Sequence, residues 1–178
     1  MKNIWILGLV LCALPAGTMA DKPKVSRAMV KSMEEGMDQK LQALWPDSPV
    51  QVLGLTQGAY VNGCGAVFMS EVNLAIGPVI SPFHQNVTAD EVKRLHEKKL
   101  ERLAKLKQAM QQMLVDSAKV MDPVAADEQI ALGISLFYWN WENKDGLPAQ
   151  IVMHAPKKLL LAATTGSAAA SSIVSDEF

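Results

Sequence analysis

Cys64 stands between two glycines in Gly63-Cys64-Gly65, a setting that resembles an accessible nucleophile, and a base such as His84 or His154 beside it would turn the thiol into a thiolate able to attack an acyl group. A second set holds the side-chain types of a small hydrolase or transferase: His154 as base, Glu71 as its orienter or as an acid, and Ser135 or Tyr60 nearby. His154, Glu71 and Ser135 are therefore the catalytic candidates, brought together by strand pairing alone. Phe137, Trp139 and Trp141 recur at alternate positions, so in a strand they share one face. Each such ring hides on the order of 150–250 Å² when covered, so something must cover them. Together with Tyr60 and Met69 they are the candidate binding residues.

No phosphate loop, dinucleotide fingerprint, His-Glu-x-x-His pair, Cys-x-x-Cys or Gly-x-Ser-x-Gly elbow occurs. His84, His96 and His154 share no ligand spacing with Cys64 or with the carboxylates, so neither a metal nor another cofactor is expected. Asn86-Val87-Thr88 matches a glycosylation acceptor, but Thr88 has a local task as a helix N-cap.

The elements that must position these residues follow from periodicity. From Val25 to Trp45 the residues Val25, Met29, Met33, Met37, Leu41 and Leu44 recur at helical spacing, and Pro46 closes the run. Val50–Val61 and Cys64–Ile76 flank Asn62-Gly63, the pair favoured in a two-residue type I′ hairpin turn. That turn sets Val61 opposite Cys64, Ala59 opposite Ala66, Gln57 opposite Phe68, Leu55 opposite Ser70 and Leu53 opposite Val72 on one apolar face, which puts Cys64 on the core side as a small hydrophobe. Thr88 with Glu91 forms a capping-box signature opening a long helix that Asp122-Pro123 ends. Ile130–Trp141 and Ala149–Ala155 make a second strand pair around Asn143-Lys144-Asp145-Gly146. There Ile130, Leu132, Ile134, Leu136, Tyr138, Ile151 and Met153 share one face, and Ser135, Phe137, Trp139, Trp141, Val152 and His154 share the other. A short helix spans Pro156–Ala163. The reading is an α+β domain of order α-ββ-α-ββ-α, with a four-stranded antiparallel sheet built from two hairpins and packed with the long central helix and the N-terminal helix.

The domain assignment is a secretory signal peptide over 1–20, a single α+β domain over 21–163 and a flexible Ala/Ser-rich tail over 164–178. Lys2, the apolar run Ile4–Leu14 and the small residues around Thr18-Met19-Ala20 carry the first of these, and a periplasmic or secreted location follows from it. No segment reaches the roughly 20 apolar residues of a spanning helix, so no transmembrane anchor is expected. With 17 Lys+Arg against 18 Asp+Glu in 178 residues and no block of one sign, the electrostatic footprint of a nucleic-acid binder is absent. The function expected is that of an exported, non-enzymatic binding or assembly module that uses an aromatic sheet face. It would bind a second copy of itself, another envelope protein or a small apolar ligand. The alternative is the hydrolase or transferase site around His154, Glu71 and Ser135.

Overall fold

A computed structural model of the protein describes residues 24–78, 86–163 and 172–178. The signal peptide expected over 1–20, His84 and the first part of the expected tail lie outside the described residues.

Ser26 opens helix α1 (Arg27–Ala43) by accepting the Met29 N–H. Strands β1 (Gln51–Val61) and β2 (Gly65–Asn73) follow, then helix α2 (Ala89–Val120), strands β3 (Gln129–Leu136) and β4 (Gln150–Pro156), helix α3 (Lys157–Ala163) and strand β5 (Val174–Glu177). The capping box is formed: Thr88 Oγ1 accepts the Glu91 N–H at 3.3 Å, and the Glu91 carboxylate accepts the Thr88 N–H at 2.9 Å. Just past the end of α2, the buried Lys157 ammonium donates to the carbonyls of Met121, Asp122 and Val124, each at 2.9 Å, and so ties down the turn that follows the helix.

The fold is α+β as expected, but the sheet has five strands in the order β1-β2-β3-β4-β5 and is mixed. The two hairpins join through β2 and β3, which run parallel, Gly65 opposite Gln129 through Val72 opposite Leu136. The reason is the connection. A 32-residue helix returns the chain by roughly 48 Å, to the end of the sheet where β2 began, and the next strand then lies parallel to β2. Strand β5 comes from the stretch expected to be a flexible tail. It pairs with β4, and Phe178 beyond it exchanges backbone hydrogen bonds with Gln150.

The first hairpin corrects the expected register. Only Gly63 in the turn has positive φ (82°), whereas type I′ requires it at Asn62 as well. The Cys64 N–H closes the turn on the Val61 carbonyl at 3.0 Å, and Val61 pairs with Gly65, not with Cys64. This one-residue slip holds from Val61 to Gln57, and the pairing shifts again between Gln57 and Gly54 and between Gly54 and Val52. Leu53, Leu55, Ala59 and Val61 face outward, while Thr56, Gly58 and Tyr60 share the inward face with Ala66, Phe68 and Val72. Cys64, expected in the core, is an exposed turn residue.

The second strand pair keeps its expected faces. Ile130, Leu132, Ile134, Leu136, Ile151 and Met153 are buried and form one core with Phe68, Leu106, Met110 and Leu114. Helix α1 covers β1 in a specific way. Asp38 Oδ1 accepts both the N–H and the hydroxyl of Thr56 (3.0 and 2.6 Å), and Glu34 Oε1 accepts the Gly58 N–H (2.6 Å) while the same carboxylate holds Arg27 at 2.8 and 3.0 Å. Thr56 and Gly58 are two residues apart, so their N–H groups point the same way. The rim of β1 is therefore paired by side chains in place of a further strand.

Candidate ligand cleft

The long connection from β3 to β4 carries the aromatic cluster, and a buried ion pair gives it shape. Lys99 of α2 and Glu142, whose side chains are 0% and 2% exposed, meet at 2.5 Å. Glu142 Oε1 also accepts the Trp139 N–H at 3.0 Å, and Lys99 donates to the Phe137 carbonyl at 3.3 Å and lies 4.8 Å above the Tyr138 ring. One charge pair thus bends residues 137–142 into a fixed turn. Burial pulls the Lys99 pKa below its ordinary value against the upward pull of Glu142. Burial, and then the Glu142 charge, push the Tyr138 phenol above its ordinary range, while its hydroxyl donates to the Pro148 carbonyl at 2.8 Å.

This turn places Trp139 and Trp141 beside the ends of the parallel strands β2 and β3. There, with Gln51, Asn73, Ile76, Gly77 and Pro78, they line a cleft of about 390 Å³. The Phe137 N–H extends the ladder to the Val72 carbonyl at 3.0 Å, and its ring braces Trp139 edge to face, with centroids 5.0 Å apart. Trp141 lies against Gly77, where an added Cβ would stand 2.9 Å from the indole. Trp139 stays 51% exposed. Asn73 is 2% exposed, and its Oδ1 finds no donor among the described residues. A buried carbonyl oxygen left unpaired costs roughly 1–3 kcal/mol. Among the described residues, none of the lining side chains is charged.

The aromatic sheet face is not assembled as expected. Phe137, Trp139 and Trp141 lie beyond the end of β3 instead of within it, because β3 stops at Leu136. Tyr60 sits on the inward side at the opposite end of the sheet, opposite Ala66, and donates to Glu128 at 3.1–3.2 Å. Seven residues of β2, roughly 23 Å at 3.3 Å each, separate that level from Asn73. Met69 lies on the outward face, over Gly133.

The catalytic candidates are likewise apart. Ser135 pairs with Glu71 across β2 and β3, but His154 is level with Ala131, four residues and roughly 13 Å further along β3. Its ring faces Gln129 Oε1 at 3.3 Å and Asp176 Oδ2 at 4.0 Å instead. That leaves His154 out of hydrogen-bond reach of Ser135 and Glu71. Among the described residues no three His, Cys, Asp or Glu side chains cluster as a metal site would need, and no helix is long and apolar enough to cross a membrane.

Sequence reasoning passed over Lys99 and Glu142, and it set Asn73 beside the aromatic residues only as one member of a mixed sheet face. A signal for Lys99 was present: Leu95, Lys99, Arg102, Leu103 and Leu106 form one helical stripe, all buried, so a lysine on that stripe needs a buried partner. Strand alternation placed Asn73 on a face with the aromatics, but its burial carried no signal of its own. No family model, curated protein or solved structure matches the chain.

Proposed function

We propose that the protein is a non-enzymatic binding module whose ligand seat is the tryptophan cleft at the ends of β2 and β3. The observation that carries this reading is a cleft walled by Trp139 and Trp141 and lined by Asn73, whose buried Oδ1 has no donor among the described residues. The uncharged lining selects an uncharged ligand, the indoles favour a ring with an apolar face, and Asn73 asks that ring for a hydroxyl or N–H donor. The occupant is then a small neutral ring compound with at least one donor, a refinement of the apolar ligand expected from sequence. Export, expected from residues 1–20, would present such a site outside the cytosol.

Titration with two probes, indole and the neutral disaccharide cellobiose, tests this by the indole N–H resonances. At least one probe is expected to shift Trp139 and Trp141 while Trp45, which packs between Arg102 and Lys105, stays unmoved. Asn73→Ala should weaken that binding by about tenfold, the worth of one buried hydrogen bond. If neither probe moves the cleft indoles, or if Trp45 moves equally, the reading fails.

A further inference from the structure

The two rims of the sheet are closed by unlike means. At β1 the carboxylates of Asp38 and Glu34 take the amides of Thr56 and Gly58. At the other rim β4 is covered by β5 alone, four residues that are all exposed. Alternate residues of an antiparallel pair exchange both backbone hydrogen bonds, and Gln150 with Phe178 is such a pair, at 3.2 and 3.0 Å. Val152 with Asp176 and His154 with Val174 are therefore the next two. Gln150, Val152 and His154 thus aim their backbone donors and acceptors out of the edge of β4, where an extended chain adds as a strand.

Side chains select what lies there. Neighbouring residues of a strand point to opposite faces, so β5 holds its two acids on opposite sides of the sheet. On the inward side Lys107 of α2 meets Glu177 at 2.6 Å, and on the outward side the His154 imidazole faces Asp176 at 4.0 Å. An extended chain with two successive acids fits between these groups. The resident strand is nevertheless a poor filling. Ser175, on the inward side with Glu177, lies opposite Met153, which is 1% exposed, so a serine stands where an aliphatic side chain would extend the core. A strand that buries so little apolar surface opens at small cost.

We propose that the edge of β4 is a docking site for an extended acidic segment of another protein, which adds to the sheet as a strand with its two acids at His154 and Lys107, and that β5 is the resident strand it displaces. Charge complementarity is shown by the resident strand itself, whose Asp176 and Glu177 occupy the two positions. A second copy is a poorer occupant. Its own residues 174–177 carry the same serine and bury no more than the strand they would replace, while a tethered resident competes at an effective concentration on the order of millimolar. A partner segment with an aliphatic residue at the position of Ser175 gains burial that β5 lacks. The site is independent of the tryptophan cleft, whose lining includes no residue of β4 or β5.

Fluorescence anisotropy of a labelled peptide with the sequence of residues 172–178, titrated with the full chain, tests this. Val174→Pro together with Asp176→Pro removes the two donors that β5 gives to β4 without altering β4, and should tighten peptide binding by at least about tenfold over the unsubstituted chain. Glu177→Lys in the chain keeps every backbone donor and loosens β5 by charge alone, so it should tighten the peptide by about threefold. In the proline-substituted chain, Lys107→Glu should weaken the peptide by about fivefold, and a peptide carrying Glu177→Lys should recover that loss. A peptide carrying Ser175→Val should bind that chain about fivefold more tightly than the original peptide. Far-UV circular dichroism checks that each variant is folded. The proposal is overturned if neither loosened chain binds the peptide more tightly than the unsubstituted one, or if Lys107→Glu makes no difference. A dimer of the unsubstituted protein in sedimentation equilibrium that the two prolines dissolve overturns it as well, because the occupant is then a second copy.

Discussion

Lys99 and Glu142 keep a charge pair almost wholly out of water, and such pairs are costly to break from one side only. Lys99→Met leaves a buried carboxylate and Glu142→Met a buried ammonium, and each should cost about 3–5 kcal/mol in chemical denaturation. Replacing both with methionine should cost much less than the two changes added together, because no orphaned charge remains. Additive losses would mean that the pair does not act as a unit. The variants should also disorder the turn that carries Trp139, so the cleft indole resonances are expected to broaden along with the loss of stability. Of the residues that build the cleft, the tryptophans were legible as unusual from their spacing alone. Lys99 was half legible, from its place on a helical stripe. Glu142 was not, and Asn73 was legible only as a member of a mixed strand face, because a polar side chain becomes informative only once its partner or its lack of one among the described residues is known.

At the scale of elements, two glycines in the parallel pair behave differently. Gly65 has φ 122° and directs its missing Cβ into the backbone of Gln129, which cannot yield without breaking the start of the β2–β3 ladder. Gly65→Ala should therefore cost at least about 3 kcal/mol. Gly133 directs its missing Cβ at the end of the Met69 side chain, which can swing away, so Gly133→Ala should cost only about 1 kcal/mol. Thermal or denaturant midpoints of the two variants check the contrast.

The attachment of α1 to β1 has its own pH dependence. Burial alone would raise the Glu34 pKa, but the Arg27 pair and the Gly58 N–H outweigh it and hold the carboxyl below its usual 4.5. Asp116, which holds Lys40 at 2.7 Å across the α1–α2 seam, is lowered in the same way. A carboxyl lowered in the folded state stabilises above its unfolded pKa and loses that contribution as pH falls through the folded value. Stability should thus decline as the pH drops below about 4.5, and Glu34→Gln should make that decline shallower. Strand existence and helix ends were largely readable from alternation, capping and proline. The register of the first hairpin was not, since Asn-Gly serves two turns that differ by one residue, and one residue exchanges the faces of β1 beside the turn.

For the molecule as a whole, the class and the element order followed from periodicity, while the parallel join of β2 to β3 and the fifth strand did not. A long helix between two hairpins is compatible with either relative direction, and Ile173-Val174-Ser175 has too few apolar residues to announce a strand. The carboxylates along β1 have a consequence for how the protein behaves when crowded. A sheet grows into a fibril by accepting a stranger's backbone at an unpaired rim. Here the free amides of Thr56 and Gly58 are already taken by Asp38 and Glu34, so a chain with an exposed aliphatic surface can reach high concentration with templated strand addition blocked at that rim.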